Sequence, residues 1–405
     1  MIDIVIIGGG IAGLYSAYKI TKMDPTKKIV VLEANEQLGG RAGNVKFHGK
    51  SIAIGAGIGR KKKDKLLLDV VKELNIPFHN FIASSQYASS IEPACNVKDM
   101  FLYLKKSYKS EKDKMKTFKQ YAKPKLEEHY YKDAYAHFIV CAGYTDYEEE
   151  CCTDTLYNYG FDDNYSDFPG FAFSWNQLIE KLASRIGSKN IHKSCYVRKI
   201  KQLSTYHNSY EVICDENTSF LCKKIIMATT IKSVMKLLDN KFLYSQIKGQ
   251  QFLRIYGKFS KESIPVMKEN CSKTTIVPGP IHKIIPMNIE KGIYMIAYTD
   301  NEDAKLLDKY KENRNVLSRL LEIALDLPEK SLELEDIIDF YWNIGTHYYT
   351  PIRGAFKNRK DYCNHAQSPS ETIRVVGEMI SMKQGWVEGA LESVENVINK
   401  QWIKN

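Results

Sequence analysis

Three glycines and one glutamate near the start of the chain have the types and spacing of a dinucleotide-binding site. Gly8, Gly10 and Gly13 form a G-x-G-x-x-G motif, in which the glycines allow a tight turn, a close approach to a pyrophosphate and close helix packing. Glu33 follows about 20 residues later, where a carboxylate accepts hydrogen bonds from a ribose diol. Because a glutamate there repels a 2′-phosphate, the motif argues against NADP.

The elements that must hold these residues are those of one βαβ unit. An apolar run at residues 2–7 precedes the glycines, an apolar-periodic segment follows to about Lys22, and a second apolar run covers Lys28 to Glu33. This order predicts a strand, a glycine turn, a helix whose first N–H groups face the phosphates, and a second strand. A glycine motif alone also occurs in ordinary turns, so the prediction depends on these flanking elements.

Two further glycine-rich stretches extend the predicted site. Gly39-Gly40-Arg41 follows the second strand directly, and Arg41 can hold phosphate oxygens bidentately. NAD dehydrogenases do not need this element. Ser51 to Gly59 alternates small residues with isoleucine, and its backbone can lie flat against a ring system because larger side chains would block the approach.

The composition indicates a soluble globular protein with room for two domains. The chain has 405 residues, of which 44% are hydrophobic and 26% charged, and no apolar stretch reaches the ~18 residues of a membrane span. The glycine motif begins at residue 8, so we expect no leader, and nine cysteines without metal spacing predict reduced thiols in the cytoplasm and no metal site. The net charge of +10 comes largely from lysines on predicted helices without interleaved aromatic residues, which favours solvated helix faces over nucleic-acid binding.

Helical periodicity covers three other parts of the chain. Residues 97–150 have helical spacing with a break predicted at Tyr121 to Pro124, and Trp175 to Ile186 and Glu302 to Leu325 predict two further helices. The nucleotide-binding features end near residue 80, where the composition shifts toward lysine, glutamate and tyrosine. A second domain is therefore predicted to begin there.

Strand patterns fill the intervals between these helices. Two short strands meet at a turn predicted at residues 215–217, and Leu221 to Thr230 predicts a return to the parallel sheet. Val197, on the first short strand, suits a place against an adenine, although a core valine has the same pattern.

The end of the chain completes a set of motifs that resembles a known family. Ile373 to Glu378 predicts a buried strand that ends in Gly377-Glu378, and Gly385 to Ser393 opens the final helix. With the N-terminal glycine motifs, these residues resemble the flavin-containing amine oxidase family, which includes monoamine and polyamine oxidases. The resemblance covers most of the predicted cofactor domain. The other half of the chain matches only in layout and looks closest to amine oxidase-like proteins of large DNA viruses.

The resemblance implies an α/β fold with a discontinuous FAD/NAD(P)-binding Rossmann-like domain and an inserted α+β substrate domain. On this reading, residues 1–79, 168–247 and 352–405 form the FAD-binding domain. Residues 80–167 and 248–351 then form the substrate domain.

The same resemblance implies a site for FAD. Members with covalent flavin carry a cysteine where this chain has Thr346, so we expect non-covalent FAD. The residues implied in FAD binding are Gly8, Gly10, Ile11, Ala12, Gly13, Glu33, Ala34, Gly39, Gly40, Arg41, Gly55, Ala56, Gly57, Val197, Gly377, Glu378, Gly385, Trp386 and Val387.

Two aromatic walls across the flavin are also implied. Trp386 matches one wall and His347 aligns with the other, with Tyr348 or Tyr349 in its place if the register slips. Aromatic faces suit an amine because they tolerate the neutral base and attract the residual cation. The structural alternative is that these side chains only pack at a domain junction.

A predicted strand at Phe252 to Ser260 carries the remaining site residues implied by the resemblance. Its alternation places Arg254, Tyr256 and Lys258 on one face. Arg254 aligns with a family lysine bound through water to flavin N5, and Lys258 lies further along. Arginine is permanently charged and bulkier, so it could stabilise superoxide, clamp a substrate carboxylate, or lie on an exposed strand face without such a role.

The activity implied by the resemblance is hydride transfer from an amine C–H to flavin N5, with reoxidation by O2 that yields hydrogen peroxide. The expected partners are a small-molecule amine and O2, without nucleic acid or a membrane, and a homodimer is left open. The expected location is the cytoplasm, that of the host for a viral protein. Two alternatives share the N-terminal motifs: FAD-dependent desaturation or isomerisation of an apolar substrate, and a catalytically decayed FAD-binding scaffold.

Overall fold

The computed structural model describes residues 1–203, 209–215 and 218–404. Its strands, in chain order, are β1 (Ile2–Ile7), β2 (Ile29–Leu32), β3 (Asn44–Phe47), β4 (Lys50–Ala53), β5 (Gly59–Arg60), β6 (Phe78–Ala83), β7 (Ser85–Tyr87), β8 (Phe168–Phe173), β9 (Ile191–His192), β10 (Val197–Leu203), β11 (Ser209–Cys214), β12 (Ser219–Met227), β13 (Ile247–Phe259), β14 (Thr274–Ile276), β15 (Lys283–Asn288), β16 (Ile293–Asp300), β17 (Leu334–Tyr349) and β18 (Ile373–Val375).

Its α-helices, in chain order, are α1 (Ile11–Met23), α2 (Lys65–Glu73), α3 (Val97–Ser107), α4 (Ser110–Asp113), α5 (Phe118–His129), α6 (Ala134–Ala142), α7 (Cys152–Tyr157), α8 (Trp175–Ile186), α9 (Ile231–Leu237), α10 (Lys241–Tyr244), α11 (Ser263–Asn270), α12 (Asn301–Asp308), α13 (Arg314–Ala324), α14 (Arg359–Gln367), α15 (Val387–Val397) and α16 (Lys400–Lys404). Single 3-10 turns lie at Ser89–Ile91, Phe161–Asn164, Ser188–Asn190, Ile289–Lys291 and Glu378–Ile380.

A seven-stranded sheet carries the first glycine motif. Its strands run in the order β10, β11, β12, β1, β2, β9, and β18 also pairs with β12. β1 lies parallel to both neighbours, with Ile6 opposite Ile226 on one side and Val31 on the other. These residues are fully buried because apolar side chains of helices cover both faces of the sheet. The carboxyl end of β1 therefore presents the glycine turn at one edge of the sheet.

Helix α1 packs very close to this sheet. A β-carbon on Gly13 would lie 1.9 Å from the carbonyl oxygen of Gly8, so only glycine allows the first turn of α1 to approach β1. Gly8 has a φ of +110°, a backbone conformation that favours glycine. The predicted sequence of strand, glycine turn, helix and strand is confirmed.

A six-stranded sheet forms the centre of the second half of the molecule. Its order is β17, β13, β16, β15, β14, β7. β13 pairs antiparallel with β16 and β17, which places Arg254 opposite Tyr298 and Phe340. Helices α12 and α13 pack with this sheet around a buried apolar core. The residue limits of an FAD-binding and a substrate domain stay a prediction.

Helices α3, α5, α6 and α7 pack around a separate aromatic and aliphatic core. The helical prediction for residues 97–150 is right in type, but the break is misplaced, because Pro124 lies inside α5. Thr117 begins α5 with a capping box, in which its hydroxyl accepts from the N–H of Gln120 and its own N–H donates to the Gln120 side chain. This cap fixes the start of the helix, and the proline is accommodated in the second turn.

The single helix predicted from Glu302 to Leu325 is in fact two, α12 and α13. The side-chain oxygen of Asn313 accepts a hydrogen bond from the N–H of Val316 at 3.1 Å and starts α13. The predicted turn at residues 215–217 lies partly outside the described residues. Within the described ranges, no helix has the length and apolar character needed to cross a membrane.

Candidate functional site

One cavity of about 1440 Å³ is lined by residues of both large sheets. Sites for drug-sized ligands are typically about 300–1,000 Å³, so this cavity has room for more than one small molecule. We call the region around Gly8, Gly10, Glu33 and Val197 the nucleotide end. We call the region around Asp146, Arg254, Lys283 and Tyr298 the substrate end.

The glycine turn at the nucleotide end is shaped to admit a ligand. Gly8 cannot carry a side chain, because a β-carbon there would lie 2.4 Å from the carbonyl oxygen of Ala228. Gly10, in contrast, faces open space, with its nearest neighbour 4.0 Å from the β-carbon position. Gly10 is also the N-cap of α1 and offers no side-chain acceptor. The first N–H groups of α1 are therefore available to an anionic ligand.

Glu33 is buried on the cavity wall and is held by backbone groups. Its Oε2 accepts a hydrogen bond from the N–H of Gly9 at 2.7 Å. Its Oε1 accepts from the backbone N–H of Asn35 at 2.9 Å and from the Asn35 side chain at 3.0 Å. A carboxylate has about four lone-pair positions, so one acceptor position is left for a ribose hydroxyl.

Arg41 lies on the cavity wall as part of a charged network. Its Nη1 donates to the carbonyl oxygen of Gly345 at 2.8 Å and to Oε1 of Glu378 at 2.6 Å. Glu378 also accepts from the N–H of Gly385 at 2.9 Å and contacts Nδ1 of His347 at 2.5 Å. Burial alone would raise the pKa of Glu378, but His347 and Arg41 outweigh it and hold this pKa well below its usual range.

This network changes the part that His347 can play. His347 is buried, does not line the cavity, and its Nε2 accepts from the N–H of Ile231 at 3.3 Å. Side chains alternate along β17, so Trp342, Ile344 and Thr346 reach the cavity and His347 points away. The wall position predicted for His347 is therefore wrong.

Tyr349, the predicted substitute for His347, is placed away from the cavity for the same reason. It is buried, and its hydroxyl donates to the carbonyl oxygen of Ser381 at 3.0 Å. Tyr348 does not line the cavity either. Thr346, one residue before His347, lines the cavity, and its hydroxyl accepts from the Gln250 side chain at 3.0 Å.

Two tryptophans supply aromatic surface near the glycine-rich stretch at residues 55–57. Trp386 is half-buried on the cavity wall, and the guanidinium of Arg60 stacks on its ring at 3.4 Å. Trp342 also lines the cavity and donates its indole N–H to the carbonyl oxygen of Ile54 at 2.8 Å. Trp342 was not predicted, although it lies only five residues before His347 on the same strand.

The other residues predicted for the cofactor lie together. A β-carbon at Gly377, whose φ is +123°, would meet nothing within 4 Å. Gly13 is the one member of the predicted set that does not line the cavity, since its place is the contact between α1 and β1. Those that line the cavity are Gly8, Gly10, Ile11, Ala12, Glu33, Ala34, Gly39, Gly40, Arg41, Gly55, Ala56, Gly57, Val197, Gly377, Glu378, Gly385, Trp386 and Val387.

Arg254 lies on the wall of the substrate end. It is 3% exposed, which excludes the exposed strand face considered above. Its guanidinium lies 4.8 Å from the ring of Tyr298 and 5.7 Å from that of Phe252. Lys258 does not line the cavity, because it lies near the end of β13 and its Nζ pairs with Glu335 at 3.0 Å. The catalytic position considered for Lys258 is therefore not supported.

Several polar residues at the substrate end were not predicted. Asp146 lies on the cavity wall and accepts a hydrogen bond from the hydroxyl of Tyr159 at 2.6 Å. Nζ of Lys283 lies 3.2 Å from the centre of the Tyr144 ring. Burial lowers the pKa of Lys283 to about 7, against the opposing effect of Asp146 and Asp300.

The pKa of Asp146 is shifted in the opposite direction to that of Lys283. Burial, together with the nearby charge of Asp300, raises it above the usual range, while Tyr159 and Lys283 lower it. Asp146 and Lys283 lie 137 positions apart in the chain, so no local pattern in the sequence could have joined them.

Comparison with known proteins agrees with this geometry. Residues 6–74 match the NAD(P)-binding Rossmann-like domain. The whole structure matches putrescine oxidase: wild type bound to putrescine has 16% identity and a TM-score of 0.73, and a double mutant has 15% identity and a TM-score of 0.76. Each match covers 97% of both chains. In sequence, the chain is 21% identical to an uncharacterized protein of Acanthamoeba polyphaga mimivirus, over 99% of this chain and 94% of the viral protein.

These matches confirm the resemblance and the fold class expected from the motifs. The chain has the mixed α/β architecture of putrescine oxidase, a flavin amine oxidase, with a Rossmann-like nucleotide-binding part. At these identities the likeness is one of fold, and the chemistry of the site must be argued from the residues on the cavity wall.

Proposed function

We propose that this protein is an FAD-dependent oxidoreductase that acts on amines and binds FAD non-covalently. The observation that carries the proposal is one continuous cavity, whose walls include the glycine turn and Glu33 at one end and aromatic and charged side chains at the other. FAD, when bound, takes a hydride from an amine C–H at N5 and passes the electrons to O2, which gives hydrogen peroxide.

The residues at the nucleotide end fit this cofactor. The first turn of α1 and the open side of Gly10 suit the pyrophosphate, and Glu33 suits a ribose diol. Arg41 adds positive charge beside the same turn, and Glu378 fixes its orientation. Helix α15 starts at Trp386 without a side-chain cap, so its N–H groups can stabilise negative charge on the flavin.

Non-covalent attachment is supported by the side chains on the cavity wall. Thr346 stands where covalent members of the resembling family carry a cysteine. Among the described residues, Cys195 is the one cysteine that lines the cavity, and it lies beside Val197 at the nucleotide end. An acid-precipitated sample should therefore release its flavin into the supernatant.

The substrate end favours an amine over an apolar substrate. Trp386 and Trp342 both line the cavity, and aromatic surface of this kind suits an amine. Arg254, Asp146 and Lys283 also line this end, and covering such groups with a hydrocarbon would remove their solvation without replacing it. The desaturase or isomerase alternative is disfavoured for this reason.

The proposal is tested on the purified protein. We expect a yellow chromophore that is released by acid, and bleaching of its absorption when putrescine, tyramine or other amines are added without oxygen. Trp386→Ala should slow bleaching by about tenfold or more because the amine loses its positioning surface. Trp402→Phe, a tryptophan away from the cavity, is the matched control and should bleach at the wild-type rate.

Two results would contradict the proposal. Protein that is colourless and takes up no added FAD would exclude a flavin enzyme. Protein that binds FAD and is reduced by dithionite, yet is bleached by no amine or amino acid, would favour the FAD-binding scaffold.

A further inference from the structure

Arg254 differs from the other buried arginines in having no acidic partner. Arg60 pairs with Asp64 at 2.6 Å, and Arg359 pairs with Asp154 at 2.7 Å, and all four side chains are buried. Arg254 is equally buried but takes part in none of the ion pairs formed by the described residues. Its Nε is buried without a hydrogen-bond acceptor. A buried guanidinium left in this state is costly unless a ligand supplies the missing anion.

The position of Arg254 shows where that anion would lie. The β-carbon position of Gly57 is 3.5 Å from Nη2 of Arg254, so the guanidinium lies against the glycine-rich stretch at residues 55–57. That stretch and Arg254 line the same cavity. The anion would therefore be bound beside the surface proposed to face the flavin.

We propose that Arg254 binds the carboxylate of the substrate, so that the substrates are amino acids and not simple amines. This inference rests on the proposed function. A guanidinium can hold a carboxylate through two parallel hydrogen bonds, which also fixes the orientation of the attached carbon. The carbon next to the carboxylate would transfer a hydride to the bound flavin while its nitrogen loses a proton, and water would then hydrolyse the resulting C=N bond. With O2 as the electron acceptor, the products are a 2-oxo acid, ammonia and hydrogen peroxide.

The first test measures binding without turnover. Three carboxylates that lack an α-amino group are titrated calorimetrically into the flavin-loaded protein: acetate, 3-phenylpropionate and 5-aminopentanoate. At least one should bind, and its Kd should rise by about tenfold or more in Arg254→Met and when the carboxylate is replaced by the corresponding amide. Arg198→Met, which removes an exposed arginine paired with Asp215, is the matched control and should leave binding unchanged.

The second test measures flavin bleaching without oxygen for pairs that differ only in the carboxylate. The pairs are ornithine and putrescine, tyrosine and tyramine, and phenylalanine and phenethylamine. In at least one pair the amino acid should bleach the flavin about tenfold faster, and Arg254→Met should remove this preference while Arg254→Lys keeps part of it.

The outcomes separate this inference from the proposed function. If the simple amines bleach the flavin as fast as the amino acids, or no carboxylate binds better than its amide, the role of Arg254 is wrong and amine oxidation stands. If carboxylates bind through Arg254 but no compound bleaches the flavin, the proposed oxidation is wrong and the anion site stands.

A separate cluster in the helical part of the molecule has the composition of a metal site. Cys95, His137 and Cys141 each place a ligand atom within 4.8 Å of the other two. His137 and Cys141 are four residues apart on α6, which puts both on one face of the helix. Cys95 joins from the segment before α3, where its backbone N–H lies 3.3 Å from Sγ of Cys141.

We infer that this cluster binds zinc. Two thiolates and one imidazole are ligands that zinc prefers, and tetrahedral coordination at about 2.3 Å would require only a small contraction of the three atoms. The hydroxyl of Tyr131 lies 2.6 Å from Nδ1 of His137, an outer partner of the kind that orients metal-bound histidines. Water would supply the fourth ligand. No metal-ligand spacing marks this cluster along the chain, because Cys95 is distant from the other two residues.

The zinc site is tested by elemental analysis of the full-length protein produced with added zinc. We expect about one zinc per chain, and its loss in Cys95→Ser and in Cys141→Ser. Cobalt added to the metal-free protein should give a thiolate-to-metal absorption band. Cys271→Ala, a buried cysteine outside the cluster, is the control and should keep the metal.

Two results would overturn the zinc inference. One is wild-type protein that holds no zinc and gives no cobalt band. The other is a disulfide between Cys95 and Cys141 in freshly purified protein, detected as two thiols that fail to react until a reductant is added.

Discussion

The two ends of the cavity are built in different ways. At the nucleotide end, the site is formed mainly by backbone groups: Gly8 and Gly10 shape the turn, and the N–H groups of Gly9 and Asn35 donate hydrogen bonds to Glu33. At the substrate end, the site is formed by side chains, and Arg254, Asp146 and Lys283 come from distant segments of the chain. The first end depends on backbone geometry encoded by short motifs, whereas the second depends on tertiary packing that brings charges together.

The largest effect is expected at Glu378, whose buried carboxylate is shared by Arg41 and His347. Glu378→Ala leaves Arg41 and the buried His347 without their shared carboxylate. Breaking a buried ion pair in this way costs about 3–5 kcal/mol, so urea unfolding should report a loss of that size together with a loss of flavin. Glu290→Ala, which removes an exposed pair with Lys268, should cost less than about 1 kcal/mol.

The acid dependence of stability gives the same network a second test. Because the pKa of Glu378 is lower in the folded protein than in the unfolded chain, its contribution is present above the unfolded value of about 4.3 and is lost as the pH falls toward the folded value. Wild-type protein should therefore lose more stability than Glu378→Ala between about pH 5 and pH 3. Equal losses would mean that the network does not hold Glu378 ionised.

A smaller effect is expected where backbone groups hold a single carboxylate. Glu33→Ala removes the acceptor proposed for the ribose and leaves the N–H of Gly9 without its partner. FAD should bind roughly tenfold more weakly, about 1.4 kcal/mol, as measured by recovery of flavin fluorescence on dilution. Glu33→Gln keeps one acceptor oxygen and should lose less. Unchanged flavin retention in Glu33→Ala would show that the ribose contact is misassigned.

The contrast between the two ends also explains what could be predicted from the sequence. Gly8, Gly39 and Gly377 were predictable because each acts through its own backbone, within a motif of a few residues. His347 was predicted on the cavity wall because the sequence alone did not show which side of β17 faces the cavity. Side chains alternate along the strand, so Thr346 lines the cavity and His347 points away from it. Asp146 and Lys283 had no local signal, since they reach the same cavity only after the helical segment packs on the six-stranded sheet.

Asp146 and Lys283, at the substrate end, should influence the pH dependence of flavin reduction. Lys283 opposes the effect of burial on Asp146, so Lys283→Met should raise the pKa of Asp146 further. If flavin reduction depends on ionised Asp146, the acid limb of the pH profile for anaerobic flavin reduction should then move to higher pH, because a higher pKa keeps Asp146 protonated over a wider pH range. Lys291→Met, on the turn between β15 and β16, is the control and should leave the profile in place. A pH profile that does not move in Lys283→Met would show that flavin reduction does not depend on the protonation state of Asp146.

The smallest effect is expected at Lys258, which tests whether the substrate end is limited to the residues on the cavity wall. Lys258 lies four residues after Arg254 on β13, but it pairs with the half-exposed Glu335 and does not line the cavity. A pair of this kind contributes at most about 1 kcal/mol, so Lys258→Met should change urea unfolding by no more than that and leave flavin reduction at the wild-type rate. A large loss in the rate of flavin reoxidation by O2 in Lys258→Met, with stability unchanged, would indicate that Lys258 acts as the family lysine does. It would also mean that a charged side chain outside the cavity wall influences flavin reoxidation. The residues that line the substrate end would then not be the complete set that acts on the flavin.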